Sequence, residues 1–212
     1  MILAGYLIGS VSFAVVVSRL MRLPDPHDYG SGNPGATNVL RTGNKVAAVL
    51  TLAGDAAKGG FALWFAQHLI ATGVVAADQA AEPVLAGVAL AAFLGHVYPV
   101  YFHFHGGKGV ATAAGILFVM NPLMAAVILG TWLLVALVTR YSSLAAIVAA
   151  MTAPFVAAAA FGQSWYTLAV LGMSLVLLWR HRGNIARLRA GKESRIKLGR
   201  SGNSGPSVDG RQ

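Results

Sequence analysis

Long apolar runs alternate with short polar segments along the whole chain. The runs cover residues 2–20, 46–70, 83–100, 109–119, 122–138, 144–160 and 165–179. Apolar positions are continuous in these runs, without the strict alternation of a half-buried strand. A hydrocarbon layer of about 30 Å takes roughly 20 helical residues to cross. The pattern therefore predicts an all-α, polytopic membrane bundle of about seven transmembrane helices. Some runs, residues 109–119 above all, are short for a span. Interrupted or short helices at membrane depth are tolerated where they pack on protein or line a polar cavity, so a cavity is expected.

Composition agrees with that reading. Of the 212 residues, 56% are hydrophobic and 11% charged, with a mean hydropathy of +0.65. Threading the runs with the N-terminus outside puts Arg19, Arg22, Arg41, Lys45, Lys108, Arg140 and every basic residue from Arg180 onward on one side. The outer turns 71–82, 120–121 and 161–164 contain no Lys or Arg, while Asp78 and Glu82 lie there. Basic residues gather on the cytoplasmic side, which orients the chain with its C-terminus inside. Residues 1–20 lack a basic leading segment, and their charges follow the apolar run, so they read as a first span and not as a cleaved signal.

The net charge of +9 suits a membrane surface or an anionic substrate. The basic residues are not interleaved with aromatics and form no nucleic-acid motif, so no nucleic acid is expected as partner. Absence of cysteine excludes disulfides, thiolate metal sites and a thioester nucleophile. Residues 1–197 read as one domain. Residues 198–212, rich in Gly and Ser, read as a disordered polar cytoplasmic tail.

The polar segments that fall inside carry the chemistry. Residues 30–41 read Gly-Ser-Gly-Asn-Pro-Gly-Ala-Thr-Asn-Val-Leu-Arg. They match G-x-G-x-x-G, but a membrane helix precedes them where a dinucleotide fold needs a strand and a βαβ unit. Three glycines instead allow the backbone to point N–H groups at an anion. Ser31, Asn33, Thr37 and Asn38 add neutral partners, and Arg41 adds a fork of donors suited to phosphate. An ordinary turn of Gly, Asn and Pro is the competing reading.

Residues 95–112 end one span, cross Gly106-Gly107-Lys108-Gly109 and open the next helix. Glycines before a helix N-terminus expose N–H groups at its positive end, and Lys108 adds a full charge. The physics is that of a phosphate cradle, although no Walker sequence is present. Thr112, one turn in, can cap the helix or touch the ligand. His103 and His105 precede the cradle. With His181 they lack carboxylate or thiolate partners nearby in sequence, so polar lining is favoured over a metal.

Residues 181–193 place His181 and Asn184 three apart, on one helix face, and end at Glu193. Arg187, Arg189 and Lys192 also suit lipid headgroups. Asp55 and Lys58, three apart within an apolar run, read as a structural ion pair near the cavity floor. Residues 140–143 form an inner turn in which Ser142 or Ser143 is a natural N-cap, and their hydroxyls can donate to phosphate.

Together, and in this order, the blocks 30–41, 95–112 and 181–193 resemble the acyl-phosphate-dependent glycerol-3-phosphate acyltransferases of bacteria (the PlsY family). Asp55-Ala-Ala-Lys-Gly59 and Arg140-Tyr-Ser-Ser-Leu144 are similar to further segments of that family, and the likeness spans residues 1–197. The family's second block is often Lys-rich before Gly-Gly, where His103 and His105 stand here.

The resemblance implies a seven-span enzyme of the bacterial cytoplasmic (inner) membrane, open to the cytoplasm. It would transfer an acyl group from acyl phosphate to the 1-hydroxyl of sn-glycerol 3-phosphate, the first acylation of phospholipid synthesis, giving lysophosphatidate and phosphate. It implies no cofactor and no metal. Its partners would be the two substrates, membrane lipid and an upstream enzyme that forms acyl phosphate; oligomeric state is left open, a monomer sufficing.

The resemblance also puts glycerol-phosphate binding on the second block. Ser31, His181 and Asn184 become catalytic candidates. Asn33, Arg41, Gly106, Gly107, Lys108, Gly109, Thr112, Ser142 and Ser143 become substrate-binding candidates. Asp55, Lys58 and Glu193 become structural ones. Either His181 or a substrate phosphate can take the hydroxyl proton. No His is followed by Asp five residues on, which argues against a His–Asp base of the CoA-dependent type. The alternative reading is a transporter or channel for a phosphorylated metabolite, which would want polar groups reachable from both sides.

Overall fold

The computed structural model describes residues 1–76 and 80–196. Asp78 and the tail 198–212 lie outside the described residues. Every regular element described is helical: α1 (Ile2–Gly9), α2 (Phe13–Leu20), α3 (Ala36–Val39), α4 (Lys45–Ala71), α5 (Ala81–Val97), α6 (Val110–Met120), α7 (Pro122–Thr139), α8 (Ser142–Phe161), α9 (Trp165–Arg180) and α10 (Arg182–Arg189). Four helical segments are long and apolar enough to cross a membrane: Lys45–Ala71, Ala81–Phe102, Pro122–Thr139 and Ser142–Phe161. α1 and α2 together make one bent apolar unit, and α6 and α9 are shorter apolar helices.

The first apolar run is not one straight helix. α1 and α2 meet at 40°, and the break is built from groups far along the chain. The Ser10 hydroxyl donates to the Tyr6 carbonyl at 2.8 Å and accepts from the Val100 amide at 3.4 Å. The Val11 carbonyl, freed by the break, accepts from Lys58 Nζ at 2.5 Å. Lys58 is itself paired with Asp55 at 2.8 Å. A carbonyl without a partner in hydrocarbon costs several kcal/mol, so Lys58 makes the bend tenable.

Small residues set the helix spacing. A side chain at Gly9 would run into the Ala92 backbone, and one at Gly115 into that of Ala56. α1 therefore lies tightly on α5, and α4 on α6, as small-residue contacts permit in membranes. α8 buries Ala145, Ala146, Ala149, Ala150, Ala153 and Ala157, a face at helical spacing against α7 and α9. Phe93, Leu63, Ile116, Val88 and Val170 fill the centre. α7 turns Leu123, Leu133, Leu134, Leu137 and Val138 outward, as a helix in lipid would.

One end of the bundle has compact turns. Asn121 caps α7 by accepting from the Met124 amide at 3.0 Å, with Pro122 opening the helix. Ser164 caps α9 through the Thr167 amide, and Glu82 accepts from the Trp165 amide at 2.8 Å. The other end gathers the last turns of α2, α5 and α9, the first turns of α4, α6 and α8, the 22–44 loop with α3, and α10.

Candidate functional site

That second end encloses a cavity of about 1940 Å³. Ligand pockets commonly hold about 300–1,000 Å³, so there is room for more than one small head group. All three polar blocks line it, together with Asp55, His96, Ser142, Ser143 and Arg180.

Its first wall is the 22–44 loop. Asn38, buried in α3, organises the loop from inside. Its amide donates to the carbonyls of Pro26 (2.8 Å) and Tyr29 (3.1 Å), while its Oδ1 accepts from the Ser31 amide at 3.0 Å and hydroxyl at 3.3 Å. Gly30 and Gly32 adopt left-handed φ of 61° and 63°. A Cβ at Gly30 would overlap Asn38 Oδ1, so the loop closes only around glycine. Ser31, Asn33 and Arg41 line the cavity.

The second wall is the 98–109 loop and the amino end of α6. Gly109 caps α6 with φ 86° and no side-chain cap bond, so the first amides of α6 stay open beside cavity-lining Gly109, Val110 and Ala111. That is the anion-binding geometry of a helix N-terminus. The loop rests on His96: the Gly107 amide donates to the His96 carbonyl at 3.2 Å, and a Cβ at Gly107 would strike the His96 ring. From α9, the Arg180 guanidinium donates to the Gly106 carbonyl at 2.8 Å.

The third wall is α10 with residues 192–196. Lys108 Nζ reaches across to Asn184 Oδ1 at 2.5 Å. The Asn184 amide donates to Glu193 Oε1 at 2.6 Å, which also accepts from the Ser143 hydroxyl at 2.7 Å. Arg187 Nε donates to Glu193 Oε2 at 2.7 Å. Arg41 donates to the Ser194 hydroxyl at 3.1 Å. Burial would raise the Glu193 carboxyl, but bonds from Asn184, Ser143 and Arg187 outweigh it and hold it below its usual value.

Two groups depart further from ordinary behaviour. Burial, with Arg187 close by, lowers Lys108 to about 8, despite the pull of Glu193. Burial lowers His181 to about 4, against the bond its ring makes to the Leu177 carbonyl. His181 Nδ1 lies 2.9 Å from that carbonyl. A carbonyl only accepts, so Nδ1 carries the proton and Nε2 keeps a lone pair. At neutral pH His181 is thus a neutral ring with a fixed tautomer.

Two candidates sit behind the cavity surface, and one is turned away. Gly107 packs behind the lining on His96 and Pro34. Lys58 is spent on Asp55 and Val11. Thr112 is fully buried against Gly59 of α4, with no partner for its hydroxyl among the described residues. It neither caps α6 nor lines the cavity, because the turn that opens α6 at Gly109 points it at α4. Nor does Ser142 or Ser143 cap α8. Tyr141 holds the cap position without a side-chain bond, because the Ser143 hydroxyl is taken by Glu193.

Asp55 lines the floor, 3.5 Å from His96 Nδ1. His96 and Arg180 support the second loop; His96 lies inside the second block, at the inner end of a span, and Arg180 stands at the end of an apolar run just before the third block. Among the described residues, no three His, Asp or Glu side chains gather as a metal site.

Comparison with known proteins supplies the family. The sequence model described as Glycerol-3-phosphate acyltransferase matches residues 1–191. The chain is 61% identical to the Glycerol-3-phosphate acyltransferase of Cupriavidus necator over 194 residues, 92% of this chain and 94% of that one. It is 59% identical to that of Ralstonia pickettii, over 92% of this chain and 91% of that one. A crystal structure of PlsY (YgiH), an integral membrane glycerol 3-phosphate acyltransferase, in its glycerol 3-phosphate form matches with a TM-score of 0.82 at 38% identity. The match covers 92% of this chain and 94% of that one. The lysophosphatidic acid form of that protein matches with a TM-score of 0.80 at the same identity. With a match spanning almost every described residue, this chain belongs to the glycerol-3-phosphate acyltransferase family.

Proposed function

We propose that this chain transfers a fatty acyl group from acyl phosphate to the 1-hydroxyl of sn-glycerol 3-phosphate, releasing lysophosphatidate and phosphate. One observation carries the reading: Lys108, Asn184, Glu193 and Ser143, drawn from three distant segments, form one bonded chain on the wall of a single cavity. Two anionic reactants need such a wall, with cations beside an apolar phase.

The bent α1–α2 unit, the four long helices, α6 and α9 are read as seven spans, with the N-terminus outside and the cavity open to the cytoplasm. The distribution of Lys and Arg supports that orientation in a bacterial inner membrane. The reading calls on no second subunit, so a monomer suffices. The donor would come from a separate enzyme that forms acyl phosphate.

Lys108, the first amides of α6 and the backbone at Gly106 and Gly109 bind the phosphate of glycerol 3-phosphate, while Gly107 supports the loop from behind. Arg41, Ser31, Asn33 and Ser142 face the donor, and Ser143 acts through Glu193. Asn184 acts by holding the Lys108 ammonium, because its own amide is committed to Glu193.

The acceptor hydroxyl oxygen attacks the acyl carbon, the acyl–oxygen bond to phosphate breaks, and phosphate leaves with the electron pair. Phosphate is a good leaving group, so positioning and charge stabilisation supply most of the rate, with no acyl-enzyme. The hydroxyl proton passes to His181 Nε2 or to a substrate phosphate, whose second pKa is about 6. A ring held near 4 is a weak acceptor while the site is empty; a bound dianion beside it favours the imidazolium.

The test uses purified protein with acyl phosphate and glycerol 3-phosphate, and no CoA or carrier protein. Stoichiometric phosphate and lysophosphatidate are expected. No product, or product only with CoA, would refute the reading. Uptake of glycerol 3-phosphate into sealed liposomes without chemistry would favour a transporter instead.

A further inference from the structure

A bridge joins the first and second walls of the cavity, and the proposed reaction makes no use of it. Asp25 Oδ1 accepts from the His27 amide at 3.0 Å and lies 2.6 Å from His27 Nδ1. On the other side of the same ring, His27 Nε2 lies 3.0 Å from the carbonyl of His105, 78 residues away in the second loop. Asp25, His27 and His105 all line the cavity.

Both partners can only accept. A carbonyl has no proton to give. The Asp25 carboxyl, which burial would raise, is held below its usual value by His27 and then Arg19, so it is a carboxylate. Both ring nitrogens must therefore donate, and only the imidazolium has two N–H groups. A neutral ring would turn a lone pair toward one of the two acceptors.

Arg19, at the end of α2, acts on Asp25, and the carbonyls of His103 and His105 stand on the facing loop. The His105 ring is committed elsewhere, its Nδ1 lying 2.7 Å from the His103 carbonyl.

We propose that His27 is a positioning residue: as an imidazolium clamped between Asp25 and the His105 carbonyl, it fastens the 22–44 loop to the 98–109 loop and so sets the spacing of the two anion sites. This rests on the acyl-transfer reading for what the two loops bind. Losing either contact frees the two loops from each other, so the KM for glycerol 3-phosphate rises.

Four variants separate the clamp from a merely structural contact. His27→Arg keeps a permanent charge and two or more donors, so it should hold the wild-type KM for glycerol 3-phosphate. His27→Gln has one donor group and no charge, and its KM should rise roughly fivefold, the scale of one typical net hydrogen bond. Asp25→Asn should raise KM similarly, and the double variant Asp25→Asn with His27→Gln should add nothing further. A KM in His27→Arg as high as in His27→Gln would overturn the clamp, as would additive effects in the double variant.

A second readout needs no turnover. In nitrogen-15 histidine spectra, the His27 signal, assigned by its loss in His27→Gln, should show both ring nitrogens hydrogen-bonded, and the Nδ1 resonance should shift in Asp25→Asn. An unshifted Nδ1 would overturn the clamp. Wild-type protein that releases no phosphate at all would refute the acyl-transfer reading, and the spectra would still decide the clamp.

Discussion

The two ends of the bundle use their polar side chains for different purposes. At one end, they cap their own helix or a neighbour's. Asn121 reaches three residues to Met124 and Ser164 three to Thr167, while Glu82 reaches 83 residues from α5 to cap the start of α9. At the other end, polar side chains join segments that are far apart. Arg41 reaches 153 residues to Ser194, Lys108 reaches 76 to Asn184, and Arg180 reaches 74 to Gly106. Local caps close turns. Long-range bonds commit several segments to one geometry, which is the requirement for holding two reactants at a fixed distance. The contrast assigns stability to one end and chemistry to the other, and substitutions can test it from both sides.

Lys108→Met should cause the largest loss at the cavity end. It removes the buried charge and releases Asn184, so kcat/KM should fall about 10²–10³-fold, the scale of one preorganised donor to a reacting anion. His181→Gln should come next. If His181 Nε2 takes the proton, kcat should fall about 10²-fold while KM barely moves. Near-normal turnover would leave a substrate phosphate as the acceptor.

The pH profile sharpens both points. Lys108, lowered to about 8 in the free protein, loses its charge as pH rises through that value, so kcat/KM should show an alkaline limb there. His181, lowered to about 4, stays neutral well below pH 6. An acid limb near 6 therefore marks a phosphate, and one near 4 marks His181. The alkaline limb should vanish in Lys108→Met.

Glu193→Gln should have a smaller effect. It removes the charge that joins Arg187, Asn184 and Ser143, and kcat/KM should fall about tenfold. The smallest functional effect belongs to the opposite end. Asn121→Ala should cost about 1 kcal/mol of stability through its lost cap and leave kcat/KM unchanged at temperatures where the protein is folded. A clear catalytic loss in Asn121→Ala would break the contrast between the ends.

The same contrast explains what the sequence could reveal. Helices and caps depend on neighbours in the chain, so the apolar runs and Asn121-Pro122 were legible directly. The Gly-rich loops were legible because glycine at Gly30 and Gly109 has a local backbone cause. The break between α1 and α2 was hidden, since its carbonyl is satisfied by Lys58, 47 residues away. Ser143 looked like a cap because its neighbours are a turn; Glu193, 50 residues on, draws it elsewhere. Thr112 looked available because it follows a cradle, but burial against α4 depends on how two helices cross. The supports Arg180 and His27 have only tertiary reasons for their positions, so no spacing announced them, and His96, although inside the second block, shows its role only where the Gly107 loop folds back on it.

The central claim is that all three loops meet at one membrane face, and the chain's lack of cysteine makes this directly measurable. Single cysteines at Thr42, His103 and Lys192 sample the three loops, and one at Gln163 samples the opposite end. In intact cells an impermeant maleimide should label only the Gln163 position, with the other three reacting after permeabilisation. Labelling of the His103 position from outside while the Thr42 position stays protected would contradict the account.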